Sequence, residues 1–211
     1  MQHSLYTNQR NDWPTSGKHI LAQYDDDSII VYQAYKPSIG QFAAEYGYFG
    51  GDYSYNRMSW IKPNFLWMMY RCGWASKEGQ ETVLAITIPR ALFDTILESA
   101  VASSFAQSGF SDHAEWKAAL ATSDVRLQWD PDHCPLGEKQ ERRAIQLGLR
   151  GSMLQRFARE ELIQVSDITD FVKEQSQNAT GDFANLLTPT EQIYLPNSRD
   201  AINNVQLDTQ I

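Results

Sequence analysis

Lys18 to Gly47 reads KHILAQYDDDSIIVYQAYKPSIGQFAAEYG, and the order of signals inside it decides the class of fold. Lys18–Tyr24 and Ser28–Tyr35 are two short apolar stretches, the second rich in the β-branched and aromatic residues Ile29, Ile30, Val31 and Tyr32 that suit a strand. Asp25, Asp26 and Asp27 mark a turn between them. Two strands joined by a tight turn pair antiparallel, so the sheet is not wholly parallel. Pro37 and Ser38 then open a helix on which Ile39, Phe42, Ala43 and Tyr46 recur at helical spacing, and Gly47 stops it. The expectation is an α+β fold with a mixed, partly antiparallel sheet and interleaved helices. The acidic triplet reads as a solvated hairpin tip, because a calcium loop needs further spaced oxygen ligands that are not there.

The rest of the chain extends this pattern. Residues 57–61 are extended, since the residues before Pro63 are pushed out of helical geometry, and Pro63 opens a helix that runs to about Cys72. Thr82–Ile88, TVLAITI, is a strand buried on both faces. The helix after Pro89 carries one apolar stripe of Leu92, Phe93, Ile96, Leu97 and Ala100. A weaker helix covers residues 112–121, strands are expected at 125–129, 144–149 and 162–165, and helices start at Ser152 and Asp167. Residues 1–17 are polar and aperiodic and read as a flexible arm, 18–176 as a single domain, and 177–211 as a mostly irregular tail pinned by Leu186, Leu187 and Tyr194. Tyr48–Asn56, with Gly50, Gly51, Tyr53 and Tyr55, has the makeup either of a mobile loop able to fold over a ligand or of a passive connector.

Composition bounds the function. With 211 residues the chain can bury one substantial core without staples. Eighteen Lys and Arg against 26 Asp and Glu leave a net charge of −8, which disfavours bulk nucleic-acid binding while permitting a local basic cleft. Cys72 and Cys134, far apart, are expected to be reduced thiols. No apolar run is long enough to span a bilayer, and residues 1–15 lack a signal core, so no membrane partner and a cytoplasmic location are expected. No phosphate loop, dinucleotide fingerprint or nucleophile elbow occurs. Asp130, Asp132, His133 and Cys134 cluster without a second dense ligand group, so no metal is expected.

The candidate site is the stretch 58–75, MSWIKPNFLWMMYRCGWA, which holds three of the six tryptophans. Flat rings beside cations can stack a planar group and hold an anion. Most of these rings also fit a core, because Phe65, Leu66, Trp67, Met68 and Met69 surround one short helix with apolar groups. Arg57, Lys62 and Arg71 are harder to absorb into a core, since a buried charge needs solvent, a carboxylate or a bound anion. Lys62 precedes a helix start that itself favours a phosphate; the alternative is pairing with Glu45, Glu78 or Glu81. Arg126, Arg142, Arg143 and Arg150 offer a second anion contact or simple surface pairs. Gln33 and Gln146 are polar groups within apolar strands that either face the pocket or turn outward.

Six blocks, SIIVYQAYKPSIGQFAAEYG, RMSWIKPNFLWMMYRCGW, QETVLAITI, VRLQWDPD, RRAIQLGLRG and LIQVSDIT, resemble the family known as domain of unknown function 4291 over residues 18–171. That resemblance implies no activity and no catalytic residue. A fainter likeness is to the ADP-ribosyltransferase superfamily, whose split-sheet domains place a basic residue or His on a first core strand, Ser or Thr with an aromatic on a second, and Glu on a late strand. That likeness implies a split form of the mixed sheet. Here Tyr32 and Gln33 fall at the first position, Ser59 and Trp60 at the second and Gln146 at the third. The first lacks His or Arg, and an amide cannot serve as the carboxylate.

The function expected from these readings is an NAD-using, ADP-ribosyltransferase-like transferase domain. Tyr32, Gln33, Arg57, Ser59, Trp60, Lys62, Trp67 and Arg71 hold the cofactor, NAD, and Gln146 or Glu81 orients an RNA or protein acceptor. The alternatives are a noncatalytic nucleotide or RNA-end binding module in the same cleft, or an interaction protein with a purely structural Trp cluster.

Overall fold

A computed structural model describes residues 1–209 as an α+β fold. The chain begins with β1 (His3–Leu5), α1 (Tyr6–Gln9), β2 (Ile20–Ala22), β3 (Ser28–Tyr35), α2 (Pro37–Tyr46), β4 (Ser59–Ile61) and α3 (Phe65–Cys72). It continues through β5 (Thr82–Pro89), α4 (Arg90–Glu98), β6 (Ala100–Ala102), α5 (His113–Thr122), β7 (Val125–His133) and β8 (Lys139–Leu149). α6 (Gly151–Gln155), β9 (Gln164–Asp167), α7 (Thr169–Asn178), β10 (Leu187–Pro189), β11 (Gln192–Tyr194) and α8 (Arg199–Val205) complete it.

Two sheets dominate. One has the order β3-β5-β9 and is antiparallel throughout; the other has the order β4-β8-β7-β6, parallel only between β6 and β7. They touch at a single bridge, where Tyr32 N–H donates to Lys62 O at 2.7 Å and Lys62 N–H donates to Tyr32 O at 3.2 Å. β5 explains its own uninterrupted apolar run. Leu84, Ile86 and Ile88 point into one core with α4, while Val83 and Ala85 point into a second core with α3. A strand covered on both faces has no polar side to alternate with. α2 lies hard against this sheet: a Cβ on Gly40 would sit 2.4 Å from Thr82 Cγ2, so only glycine allows that approach.

The expected hairpin partner is corrected. The three-aspartate turn closes, with Asp25 Oδ1 accepting from Asp27 N, Ser28 N and Ser28 Oγ, and Tyr24 bridging Ile29. The ladder of β2, however, runs antiparallel to β11, and the true neighbour of β3 is β5. Ile20, Leu21 and Ala22 are all buried, and a three-residue strand hidden on both faces needs a distant segment to cover it.

The described parts of both terminal segments are also packed. The supposed flexible arm forms β1, which pairs with β10, and buries Tyr6 and Trp13. The supposed irregular tail contributes β10, β11 and α8, with Leu186 and Tyr194 fully buried. These segments have no periodicity of their own because each supplies only a few apolar anchors to cores built by other elements. Among the described residues, no helix is long and apolar enough to cross a membrane.

Candidate functional site

The two main sheets part immediately beyond the Tyr32–Lys62 bridge, and a cavity of about 650 Å³ opens in the gap. This volume falls in the range of small-molecule sites. β3 supplies Gln33 and Tyr35, β4 supplies Ser59 and Trp60, and the loop between α2 and β4 supplies Tyr53 and Arg57. Lys62 lines it just past β4, Arg71 comes from α3, and Gln128 and Gln146 come from β7 and β8.

Side chains replace the backbone rungs that the diverging strands have lost. Gln33 Nε2 donates to Ser59 Oγ at 2.7 Å and to Trp60 O at 3.1 Å, and Tyr35 Oη shares a short hydrogen bond with Ser59 Oγ at 2.5 Å. Gln33 Oε1 is then left buried without a partner, a free acceptor on the cavity wall. Burial pushes the Tyr35 hydroxyl up to about 12, against the pull of Ser59, and raises Tyr53 as well, so both phenols stay protonated. Tyr53 packs edge-on against Tyr35 and beside Phe49 and Tyr55, and Phe49 N–H is tied to Ala158 O at 2.9 Å. The loop expected to be either a mobile flap or a passive connector is therefore anchored by its aromatic residues.

Trp60 lies opposite Gly148 in the β4–β8 pair. A Cβ on Gly148 would come within 3.0 Å of the indole and 2.7 Å of Met58 Sδ. The missing side chain thus makes the bed on which the indole rests, two residues along β8 from Gln146. Gln146 Nε2 donates to Gln128 Oε1 at 2.8 Å and to Asp130 Oδ2 at 2.7 Å. These bonds fix the amide at the wall and occupy its nitrogen.

Lys62 is the unusual group. It is 4% exposed, and Arg57, Lys62 and Arg71 form no ion pair within 4.0 Å among the described residues. Burial, reinforced by the Arg71 guanidinium and partly offset by Asp130 and Cys72, brings the Lys62 ammonium down to about 8. The acids weighed as partners lie elsewhere. Glu45 and Glu78 are exposed, and Glu81 Oε1 accepts from Gly79 N at 2.9 Å.

The helix start after Lys62 is not vacant. Asn64 Oδ1 caps Trp67 N at 2.6 Å, and Glu191 Oε1 accepts from Phe65 N at 2.6 Å while Glu191 Oε2 takes the Asn64 amide at 3.3 Å. The Glu191 carboxyl is held well above its ordinary range by burial, though Phe65 N–H and Arg142 pull it down. A carboxyl group from the C-terminal region thus occupies the place where the sequence suggested a phosphate.

Of the ten side chains expected to form the site, Gln33, Arg57, Ser59, Trp60, Lys62, Arg71 and Gln146 line the one cleft. Tyr32, Trp67 and Glu81 do not. Tyr32 points to the opposite face of β3 from Gln33 and packs edge-on against Phe65 in the second core. Trp67 is buried and stacks with Tyr70 and His133 at 5.4 and 5.0 Å, so its ring is packed into the fold and does not line the cleft. Glu81 is absent from the lining, although its neighbours Gly79 and Gln80 belong to it, and its Oε1 accepts from Gly79 N. Tyr35, Gln128 and Gly148 belong to the site and were not singled out by the sequence, whereas Tyr53 was named only as part of the loop; the even spacing of Gln33 and Tyr35, and of Gln146 and Gly148, was the available signal. The four other arginines lie outside. Arg126 and Arg150 donate to carbonyls at the end of α5, Arg142 pairs with buried Asp132 at 2.6 Å and lies over Trp13, and Arg143 is exposed.

Residues 19–194 match the family model described as Domain of unknown function (DUF4291). The chain belongs to that family. The DUF4291 match spans every cleft-lining side chain, together with Glu191, so the site lies wholly within the family's own domain. No curated protein matches the chain.

Proposed function

We propose that the cleft binds a nucleotide, with NAD as its ligand, and that the domain acts as an ADP-ribosyltransferase-like transferase. The observation carrying this reading is the meeting of Arg57, Lys62 and Arg71 in one ligand-sized cavity without a carboxylate paired to any of them among the described residues. Cations without an ion-paired carboxylate, beside an indole on the cavity wall, suit a ligand with phosphates and a flat ring. In this reading Arg57 and Arg71 hold the pyrophosphate, Trp60 stacks nicotinamide or adenine, and Lys62 sits at the floor near the ribose. Gln33 Oε1 accepts from a ligand hydroxyl or amine, and Gln146 orients the RNA or protein acceptor.

A second reading, a noncatalytic nucleotide or RNA-end binding module, is favoured by one observation. Gln146 stands at the late-strand position as an amide whose nitrogen is already bonded to Gln128 and Asp130, so it is no general base. Melting of the protein against a panel of NAD, ADP-ribose, ATP and 5′-phosphorylated RNA tests both readings. A bound ligand at 100 times its Kd stabilises the fold by about 2.7 kcal/mol, and Arg57→Gln with Arg71→Gln should remove most of that gain. Release of nicotinamide, or transfer of label from NAD, selects the transferase; binding without turnover selects the module. No stabilisation by any nucleotide sinks both and leaves a structural cluster.

A further inference from the structure

Of the cations lining the cleft, Lys62 alone is buried, and it is held differently from the rest. Its backbone is pinned on both sides by the two hydrogen bonds to Tyr32, and Pro63 follows it. Its side chain therefore leaves a rigid point at the apex where the sheets separate and lines the cavity wall. Lys62 is 4% exposed and lines the cavity, and no hydrogen bond or ion pair involves Nζ among the described residues. Arg57 and Arg71, by contrast, are exposed and free to grip an anion at the mouth.

We propose that Lys62 is a covalent binding residue: its amine condenses with the aldehyde carbon of a phosphorylated sugar whose phosphate is held by Arg57 and Arg71. This rests on the anion-binding reading of the cleft and adds the chemistry of its floor. The neutral amine attacks the carbonyl carbon, the Nζ–C bond forms, and the carbinolamine loses its oxygen as water with two protons from the amine. An imine remains, and nothing is oxidised or reduced. The groups facing Lys62 are Arg71 and Cys72 from α3 and Asp130 from β7; burial and Arg71 favour the free amine, Asp130 and Cys72 the ammonium, and the balance lies at about 8. At neutral pH that leaves on the order of 10² more free amine than on an ordinary surface lysine, which is how buried lysines become nucleophiles.

The full-length protein is incubated with ribose 5-phosphate and a borohydride reductant, digested, and mapped by mass spectrometry, with unphosphorylated ribose as the control sugar. The expected result is a reduced adduct on Lys62 ahead of every surface lysine, labelling that rises through pH 8, and at least tenfold less adduct with ribose or in Arg57→Gln. Lys62→Arg should lower total labelling to the surface background; if that variant does not fold, the wild-type peptide map decides. An adduct confined to exposed lysines, with Lys62 unmodified, overturns the proposal. Melting with ADP-ribose in parallel separates the two claims. Stabilisation without a Lys62 adduct removes only the covalent role, whereas a Lys62 adduct without nucleotide stabilisation removes only the nucleotide reading.

Discussion

At the scale of single residues, Lys62 sets a stability cost against the binding role proposed for it. Its folded value of about 8 lies below the ordinary 10.5, so the unfolded chain binds more protons between these two pH values and stability rises with pH across that window. Below pH 8 the ammonium is buried in full, at a cost of about 3 kcal/mol from the size of the shift. Lys62→Met should therefore raise stability at pH 7 by up to about 3 kcal/mol, with the gain vanishing near pH 10.5, while abolishing ligand binding. Urea midpoints of both proteins at the two pH values check this; an unstable variant at pH 7 would mean that Nζ has a partner in the fold. Trp60 depends in the same way on a residue that contributes no side chain. Gly148→Val should displace the indole and Met58, costing about 1–3 kcal/mol and removing nucleotide binding, read by calorimetric titration.

At the scale of elements, α3 shows how a short helix is held in place. It is eight residues long and would not persist alone in water. Asn64 and Glu191 satisfy its first donors, and its apolar surface fills the second core. The Glu191 carboxyl is raised in the folded state, so its contribution is fully present below the ordinary glutamate range and falls as pH rises through the folded value. Glu191→Gln keeps an acceptor for Phe65 N–H and should flatten this acid-side pH dependence without loss of stability at pH 8. Glu191→Ala leaves buried donors unpaired and should cost about 1–3 kcal/mol. Thermal denaturation of the two variants between pH 4 and 8 separates these outcomes. The Gly73 boundary of α3 could be anticipated from local chemistry, whereas its start lies at Phe65 behind the Asn64 cap, two residues past the expected Pro63; its capping by a residue far along the chain could not be anticipated.

At the scale of the whole molecule, the terminal segments complete the fold. Trp13 Nε1 donates to Glu191 O at 3.0 Å, and the ring lies beneath Arg142, whose Nε reaches Asp132. One N-terminal side chain thus connects the strap under α3 to the hairpin of β7 and β8. Trp13→Ala should destabilise the protein by about 3–5 kcal/mol, and removal of residues 1–16 by at least as much, measured by guanidinium unfolding. Retention of wild-type stability after that deletion would show the segment to be an accessory.

The amino-acid sequence determined by itself whatever depends on neighbours along the chain. It set the boundaries of α2 by Pro37 and Gly47, the double-faced burial of β5 by its unbroken apolar run, the α+β class by a tight turn leading into a helix, and the stretch around Trp60 to Arg71 as the place where cations gather. Tertiary structure alone decided which strand lies beside β2, what fills the start of α3, and which side of each element the polar groups face. Gln33 and Tyr32 are adjacent in sequence yet enter a cleft and a core, because a strand turns successive side chains to opposite faces and only the packed sheets define which face is open. The cavity itself is the gap left where two sheets share a single bridge, a property of their relative placement that no local run of residues encodes.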